Sequence, residues 1–249
     1  MNLNLKDKII LVTGSTNGIG FSIAQHLLKY GCKVIINGRN EDRLKVATSK
    51  LSDAIGLLGD VSDPKVASDL LSSINSSFSR LDGLVCNVGS GASVEPGSEN
   101  HEEWQRVFSN NLWSTTNMVE EAKDLLAKSN GAIVCISSIC GQKIIPNAPV
   151  TYSVAKSALN TYIQLISIPL GKKNIRINAV APGNILFKGS IWDKKLKENK
   201  LAVENMLKNN VALRKLGAPE DIANLTAYLL SPISKFITGS VYNADGGQF

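Results

Sequence analysis

The sequence predicts an α/β protein built on a doubly wound parallel sheet with helices on both faces. Three observations carry this expectation. Short β-branched runs alternate with longer amphipathic stretches along the chain. The runs are apolar almost throughout, the pattern of strands covered on both faces. A glycine-rich turn, TGSTNGIG, directly follows the first run and opens the first helical stretch.

The run 8–13, KIILVT, reads as the first strand, and Gly14, Gly18 and Gly20 follow it into a helix over 18–30. A second strand, 34–37, leads to a helix over 41–51. The run 54–58 is followed by a helix over 64–78, and 84–86 by a long helical stretch over 102–128. Strands at 132–136 and 176–180 flank a helix over 152–168. Repeated strand–helix order implies a parallel sheet, with ligands bound at the carboxyl ends of the strands. Pro219, with Glu220 and Asp221 behind it, marks a last helix start, and Ile222, Leu225 and Leu229 mark its buried side.

At 249 residues, 43% apolar and 19% charged, the chain suits one globular domain over 1–249. Its longest apolar runs, such as 132–136, are far too short to span a bilayer. The opening MNLNLKDK has no apolar stretch of the signal-peptide kind, so a cytoplasmic protein without membrane association is expected. The four cysteines form no CxxC pair and only two histidines occur, so no metal site is expected. The net charge of +6 comes from scattered lysines with no basic run, which argues against a nucleic-acid partner.

Tyr152 and Lys156 stand four residues apart on one predicted helix and therefore share a face. A nearby ammonium stabilises a phenolate, and each pKa unit of lowering needs about 1.4 kcal/mol. Such a tyrosine can protonate an alkoxide formed at a ketone, or take the proton from an alcohol in reverse. Ser138, upstream, can hold the carbonyl oxygen by a hydrogen bond. Ser137 points to the opposite face of an extended chain and competes for that role, as Asn110 competes with Asn111.

The motifs TGSTNGIG, CNVG at 86–89, Asn111, Ser138, YSVAK at 152–156 and Pro182–Gly183 occur in order over nearly the whole chain. Together they resemble the short-chain dehydrogenase/reductase family, which implies a Rossmann-type fold and hydride exchange between a nicotinamide and a carbonyl or secondary alcohol. The resemblance implies Asn111, Ser138, Tyr152 and Lys156 as catalytic, with Lys156 also on the nicotinamide ribose. It implies cofactor contacts at Gly14, Ser15, Thr16, Asn17, Gly18, Ile19 and Gly20, then at Asp60 and Val61, Asn87 and Gly89, and Pro182, Gly183 and Ile185. It also implies a homotetramer or homodimer built on the helices near 102–128 and 152–168. Phe187 departs from the family, which commonly has a threonine there to hold the nicotinamide carboxamide.

At the end of the second strand, where a carboxylate would bind the adenine ribose and repel a 2′-phosphate, the chain has Asn-Gly-Arg-Asn at 37–40. Arg39 can pair with that phosphate, so NADP(H) is favoured and NAD(H) is the alternative. The segment 89–99 is polar and suits a hydroxyl-rich ligand, and 184–210 reads as a lid over the substrate. Its six lysines against three acids give a net +3 that would steer an anionic substrate such as a sugar derivative. The rival pattern there is an amphipathic helix with Trp192, Leu196 and Leu201 packed down. Two other readings remain: 3-oxoacyl-thioester reduction, and a dinucleotide-binding sensor or scaffold without turnover.

Overall fold

The computed structural model describes residues 2–249. Seven strands form one sheet: β1 (Ile9–Val12), β2 (Lys33–Gly38), β3 (Ile55–Leu58), β4 (Gly83–Cys86), β5 (Ala132–Ile136), β6 (Arg176–Pro182) and β7 (Val241–Ala244). Their order is β3-β2-β1-β4-β5-β6-β7, and every pairing is parallel. The chain runs outward from β1 to β3, then returns to start again at β4, so the reversal lies between β1 and β4. At such a point the connections leave in opposite directions and a crevice opens at the carboxyl ends.

Strand periodicity divides the core between the two faces. Ile10, Val12, Val34, Ile36, Val85 and Val134 pack on one side with α1 (Gly18–Lys29) and α9 (Pro219–Leu230). Ile9, Leu11, Ile35, Leu84, Ile133 and Ile177 pack on the other, against α3 (Pro64–Phe78), α5 (Ser114–Ala127) and α6 (Val150–Gly171). The remaining helices are α2 (Glu41–Lys50), α4 (His101–Phe108), α7 (Ile191–Glu198) and α8 (Lys200–Asn210).

Local chemistry sets the helix starts. Asn17 caps α1 by accepting from Gly18 N at 2.8 Å, and Asn40 caps α2 by accepting from Arg43 N at 2.9 Å. Asp63 caps α3 just ahead of Pro64, accepting from Lys65 N at 2.8 Å. Asp221 accepts from Ala218 N at 2.8 Å and closes the first turn of α9.

Four elements depart from the sequence expectation. The stretch 102–128 is two helices joined by a π-helical turn, Ser109–Trp113, whose wider winding carries Asn111 into the interior. The expected helix 152–168 extends over Val150–Gly171 and takes in Pro169 near its end. The edge strand β7 went unforeseen because Val-Tyr-Asn-Ala is short and only half-buried.

The lysine-rich segment forms two helices rather than one. Asn199 ends α7 in an extended conformation and caps α8, accepting from Ala202 N at 3.0 Å. The register of α7 is therefore lost, and Leu201, expected to pack down with Trp192 and Leu196, stands 66% exposed. No helix among the described residues is long and apolar enough to cross a membrane.

Candidate active site

The carboxyl ends of β1, β4, β5 and β6 gather the candidate residues at one edge of the sheet. Ser138 follows β5 in extended conformation and caps a short 3-10 turn, Ile139–Gly141, accepting from Cys140 N at 3.2 Å. Ser137 is committed elsewhere, donating to Asn160 Oδ1 at 2.6 Å in a buried pair. That settles which serine faces the cleft, since alternate residues of an extended chain point to opposite sides. Asn110 likewise turns outward and donates to Arg106 O at 3.0 Å, whereas Asn111 is buried.

Tyr152 and Lys156 lie on successive turns of α6. Lys156 is 3% exposed, and its Nζ donates to Ile136 O at 2.9 Å and stands 5.9 Å from the centre of the Tyr152 ring. Burial lowers its pKa from an ordinary 10.5 to about 8, with the Cys135 and Cys86 thiols acting in the opposite direction. The Tyr152 phenol is pushed up to about 12 by burial, against the pull of the nearby Ser138 hydroxyl. The expectation of a phenol depressed by the lysine is therefore corrected for the protein alone. Desolvation dominates, and the ammonium spends its hydrogen bond on a strand-end carbonyl.

Asn111 holds the loop that leaves β4. Its Oδ1 accepts from Ser90 N at 3.0 Å, and its Nδ2 donates to Ser90 O at 3.1 Å and Val107 O at 2.9 Å. Gly89 passes between the two machineries: a Cβ there would stand 2.9 Å from Asn111 Oδ1 and 3.1 Å from Lys156 Nζ. Only glycine lets the loop run so close to the ammonium. Gly91 comes next, facing the Tyr152 ring and the Ile191 side chain at the start of α7.

Sequence reasoning did not find the network that stiffens this rim. Ser93 Oγ donates to Glu103 Oε1 at 2.7 Å and lies 2.7 Å from Thr151 Oγ1. Arg106 grips Glu103 through Nε and Nη2, each at 2.7 Å, and reaches Ala92 O at 2.9 Å. The Arg106 guanidinium and Ser93 hydrogen bonds hold the Glu103 carboxyl at about 2. The spacing of Glu103 and Arg106 on one helix face was the available signal, but nothing local ties it to a loop ten residues upstream.

The dinucleotide candidates line the crevice beside this cluster. Gly14 to Gly20 form the turn from β1 into α1, whose first amides have no intrahelical partners. Asn87 braces the turn, with Nδ2 donating to Thr13 O at 3.1 Å and Gly14 O at 2.9 Å. Ser15 serves the sheet, its Oγ donating to Val12 O at 2.7 Å and accepting from Asn37 N at 3.0 Å. Thr16 lies beside Gly38, at the end of β2.

Arg39 and Asp60, assigned to opposite ends of the adenosine, meet in an ion pair of 3.0 Å. Burial alone would raise the Asp60 carboxyl, but hydrogen bonds from Ser62 and Arg39 hold it below its usual range. Val61 is buried in the core beneath. Across the crevice, Gly183 N donates to Ala244 O at 3.1 Å, joining the Pro182–Gly183 turn to β7, and Ile185 is buried. The ring of Phe187 rests against Gly18. These residues fit a dinucleotide in chemistry: helix-start amides after Gly18, whose own N–H is taken by Asn17, for a pyrophosphate, a cation at the adenosine end and a buried lysine at the other.

Fold and site together define a nicotinamide-dependent oxidoreductase acting on a small-molecule carbonyl or alcohol. A family model described as enoyl-(acyl carrier protein) reductase matches residues 14–248, and the chain belongs to the short-chain dehydrogenase/reductase family. It is 34% identical over 254 residues to 3-oxoacyl-acyl-carrier-protein reductase FabG of Chlamydia muridarum, covering 100% of both chains. It is 31% identical to dehydrogenase/reductase SDR family member 4 of Mus musculus, covering 98% of this chain and 88% of that one. Among solved structures, L-sorbose reductase from Gluconobacter frateurii, complexed with NADPH and L-sorbose, superposes with a TM-score of 0.93 at 27% identity, covering 100% and 98% of the two chains. A 7α-hydroxysteroid dehydrogenase complexed with NADH gives 0.89 at 26% identity, covering 99% and 96%.

Lys156→Met tests the cost of the buried ammonium. The wild-type lysine disfavours folding wherever it must stay charged, a cost fully present below pH 8 that fades as pH rises toward 10.5. The variant should gain about 2 kcal/mol in urea unfolding at pH 7 and lose most of that advantage by about pH 10. Equal stability of the two proteins at pH 7 would contradict this account.

Proposed function

We propose that the protein is an NADP(H)-linked carbonyl reductase in which Tyr152 moves the proton at the substrate oxygen. The observation that carries this is the convergence of Ser138, Tyr152 and Lys156 at the mouth of the crevice, beside a glycine turn. The bound dinucleotide supplies or receives the hydride. Ser138 donates to the carbonyl oxygen and fixes the substrate. Tyr152 is neutral near pH 7, as an ordinary phenol is and the more so for the burial that lifts it to about 12, and so is in the proton-donating state that reduction requires. Lys156, 5.9 Å from the centre of the phenol ring, would hold the ribose at the nicotinamide end of the cofactor, and Asn111 holds the Ser90 loop beside it.

Arg39 supports the NADP(H) preference. It is 66% exposed, so its pair with Asp60 holds little energy and is readily exchanged for a phosphate. Gly14 to Gly20, Asn87, Gly89, Pro182, Gly183 and Ile185 complete the cofactor site, with Asp60 and Val61 at the adenine.

For the substrate, the favoured reading is a polyhydroxylated ketone or sugar derivative, supported by the polar segment from Ser90 to Ser93, which Thr151 braces from the interior. The segment 184–210 closes over it as a lid. Lys197 pairs with Asp193 and Lys200 with Glu204, leaving Lys188, Lys194, Lys195 and Lys208 without ion pairs among the described residues, available to an anionic group. A 3-oxoacyl thioester is the second reading, favoured by the full-length likeness to FabG.

A homodimer or homotetramer is supported by α6, where Val154, Leu165 and Ile168 are exposed, with Trp113 nearby in sequence to α5. The buried and half-buried free cysteines suit the reducing cytoplasm.

Three outcomes are expected. Tyr152→Phe should lose about a thousandfold in turnover while keeping its NADPH affinity, as separate kinetics and calorimetry would show. Arg39→Ala should weaken NADPH about tenfold and leave NADH unchanged. A wild type that turns over faster with NADH, in a screen of ketoses, phosphosugars, nucleotide sugars and 3-oxoacyl thioesters, would overturn the role of Arg39. Leu165→Glu should shift the light-scattering mass of the native protein toward that of one chain, and an unchanged mass would remove α6 from the interface.

A further inference from the structure

Gly18 has φ of +59°, and a Cβ built there would stand 2.7 Å from both Cε2 and Cζ of Phe187. In dinucleotide-binding turns the second glycine is bare so that the backbone can approach the pyrophosphate. The space that Gly18 keeps free is thus filled by a phenyl ring of the same chain.

The ring is held there by its own segment. Phe187 N donates to Ser190 Oγ at 3.3 Å, and Ser190 N returns a bond to Phe187 O at 2.9 Å. Ser190 is buried and caps α7, accepting from Asp193 N at 3.1 Å. Ile185, two residues before the ring, is buried, and Leu186 N donates to Gly217 O at 2.8 Å. Phe187 therefore sits in a short tight span between two fixed points, packed against the core on the α1 side. Ile191, immediately after the cap, lies beside Gly91 and the Tyr152 side of the cleft.

We propose that Phe187 is a displaceable plug of the cofactor site: its ring and the pyrophosphate compete for the face of Gly18. Binding of the dinucleotide expels the ring, and the 187–190 span passes that movement to Ile191 at the mouth of the substrate cleft. The cofactor must then enter before the substrate cleft takes its working shape. This rests on the reading of the glycine turn as a nicotinamide dinucleotide site. It gives Phe187 a part opposite to that of a carboxamide-binding residue, because the side chain opposes the cofactor in the free protein.

The test is NADPH binding to the intact protein, by calorimetry and by stopped-flow fluorescence, for wild type, Phe187→Ala and Phe187→Thr. Both variants should bind NADPH about tenfold tighter, with the gain in the association rate, since no ring has to leave. In thermal unfolding without cofactor, Phe187→Ala should melt lower than wild type, yet show the larger upward shift when NADPH is added. Wild type and both variants binding with equal or lower affinity in the variants would overturn the plug and leave the dinucleotide site standing. Absence of NADPH and NADH binding in all three proteins would overturn the site reading itself, and the plug with it.

Discussion

The position of one buried ammonium governs how the crevice is built. A charged lysine inside a protein must have hydrogen-bond acceptors and close neighbours, or it loses its proton. Lys156 obtains its acceptor from the last carbonyl of β5, Ile136, and that bond fixes where α6 crosses the sheet edge. With α6 placed, Tyr152 lies one turn earlier over the cleft. Ser138, two residues beyond Ile136, faces it, and Gly89 has to be bare to pass over the ammonium. The half-protonated tendency of Lys156 near pH 8 is the energetic trace of this arrangement: the site keeps a charge where folding alone would not place one.

The same sheet edge explains why polar groups here are divided between scaffold and cleft. Ser15, Ser137 and Asn160 are buried polar residues within the loops and strand ends, and their hydrogen bonds close on one another or on backbone groups. Buried groups left without partners would each cost about 1–3 kcal/mol, so these bonds are what allow strand ends to carry polar loops at all. Ser138 is free to face the crevice because its neighbour Ser137 has taken the structural bond to Asn160.

The strand and helix order was legible because its signals are local. Apolar runs, the helix start at Pro219 and the glycine turn are read within a few residues. The spacing of Tyr152 and Lys156 was legible for the same reason. What was not legible depends on contacts between distant segments. The π-helical turn that buries Asn111, the bond between Ser93 and Thr151 and the half-buried edge strand β7 are set by packing, with no local pattern to announce them. The direction of the Tyr152 shift was misjudged because helix spacing places two side chains on one face but does not say how dry that face is. Burial raises the phenol, and the opposing pull comes from the Ser138 hydroxyl.

The two walls of the cleft are held by different kinds of interaction, and this bears on what the site selects. The wall from Gly89 to Ser93 is pinned by Asn111, Glu103, Arg106 and Thr151 through short, partly charge-assisted bonds that allow little adjustment. The wall from Asn184 to Ile191 is held mainly by backbone bonds over a short span and by apolar packing, with the Phe187 ring against Gly18. A rigid polar wall discriminates by hydrogen-bond geometry, since a mismatched substrate leaves buried groups unpaired. A wall that repacks discriminates by size and apolar fit, at about 1–3 kcal/mol per methylene. On the reading proposed above, the substrate's hydroxyl groups would meet the rim after β4, its carbonyl oxygen Ser138 after β5, and the length and bulk of the rest the segment that begins at Phe187.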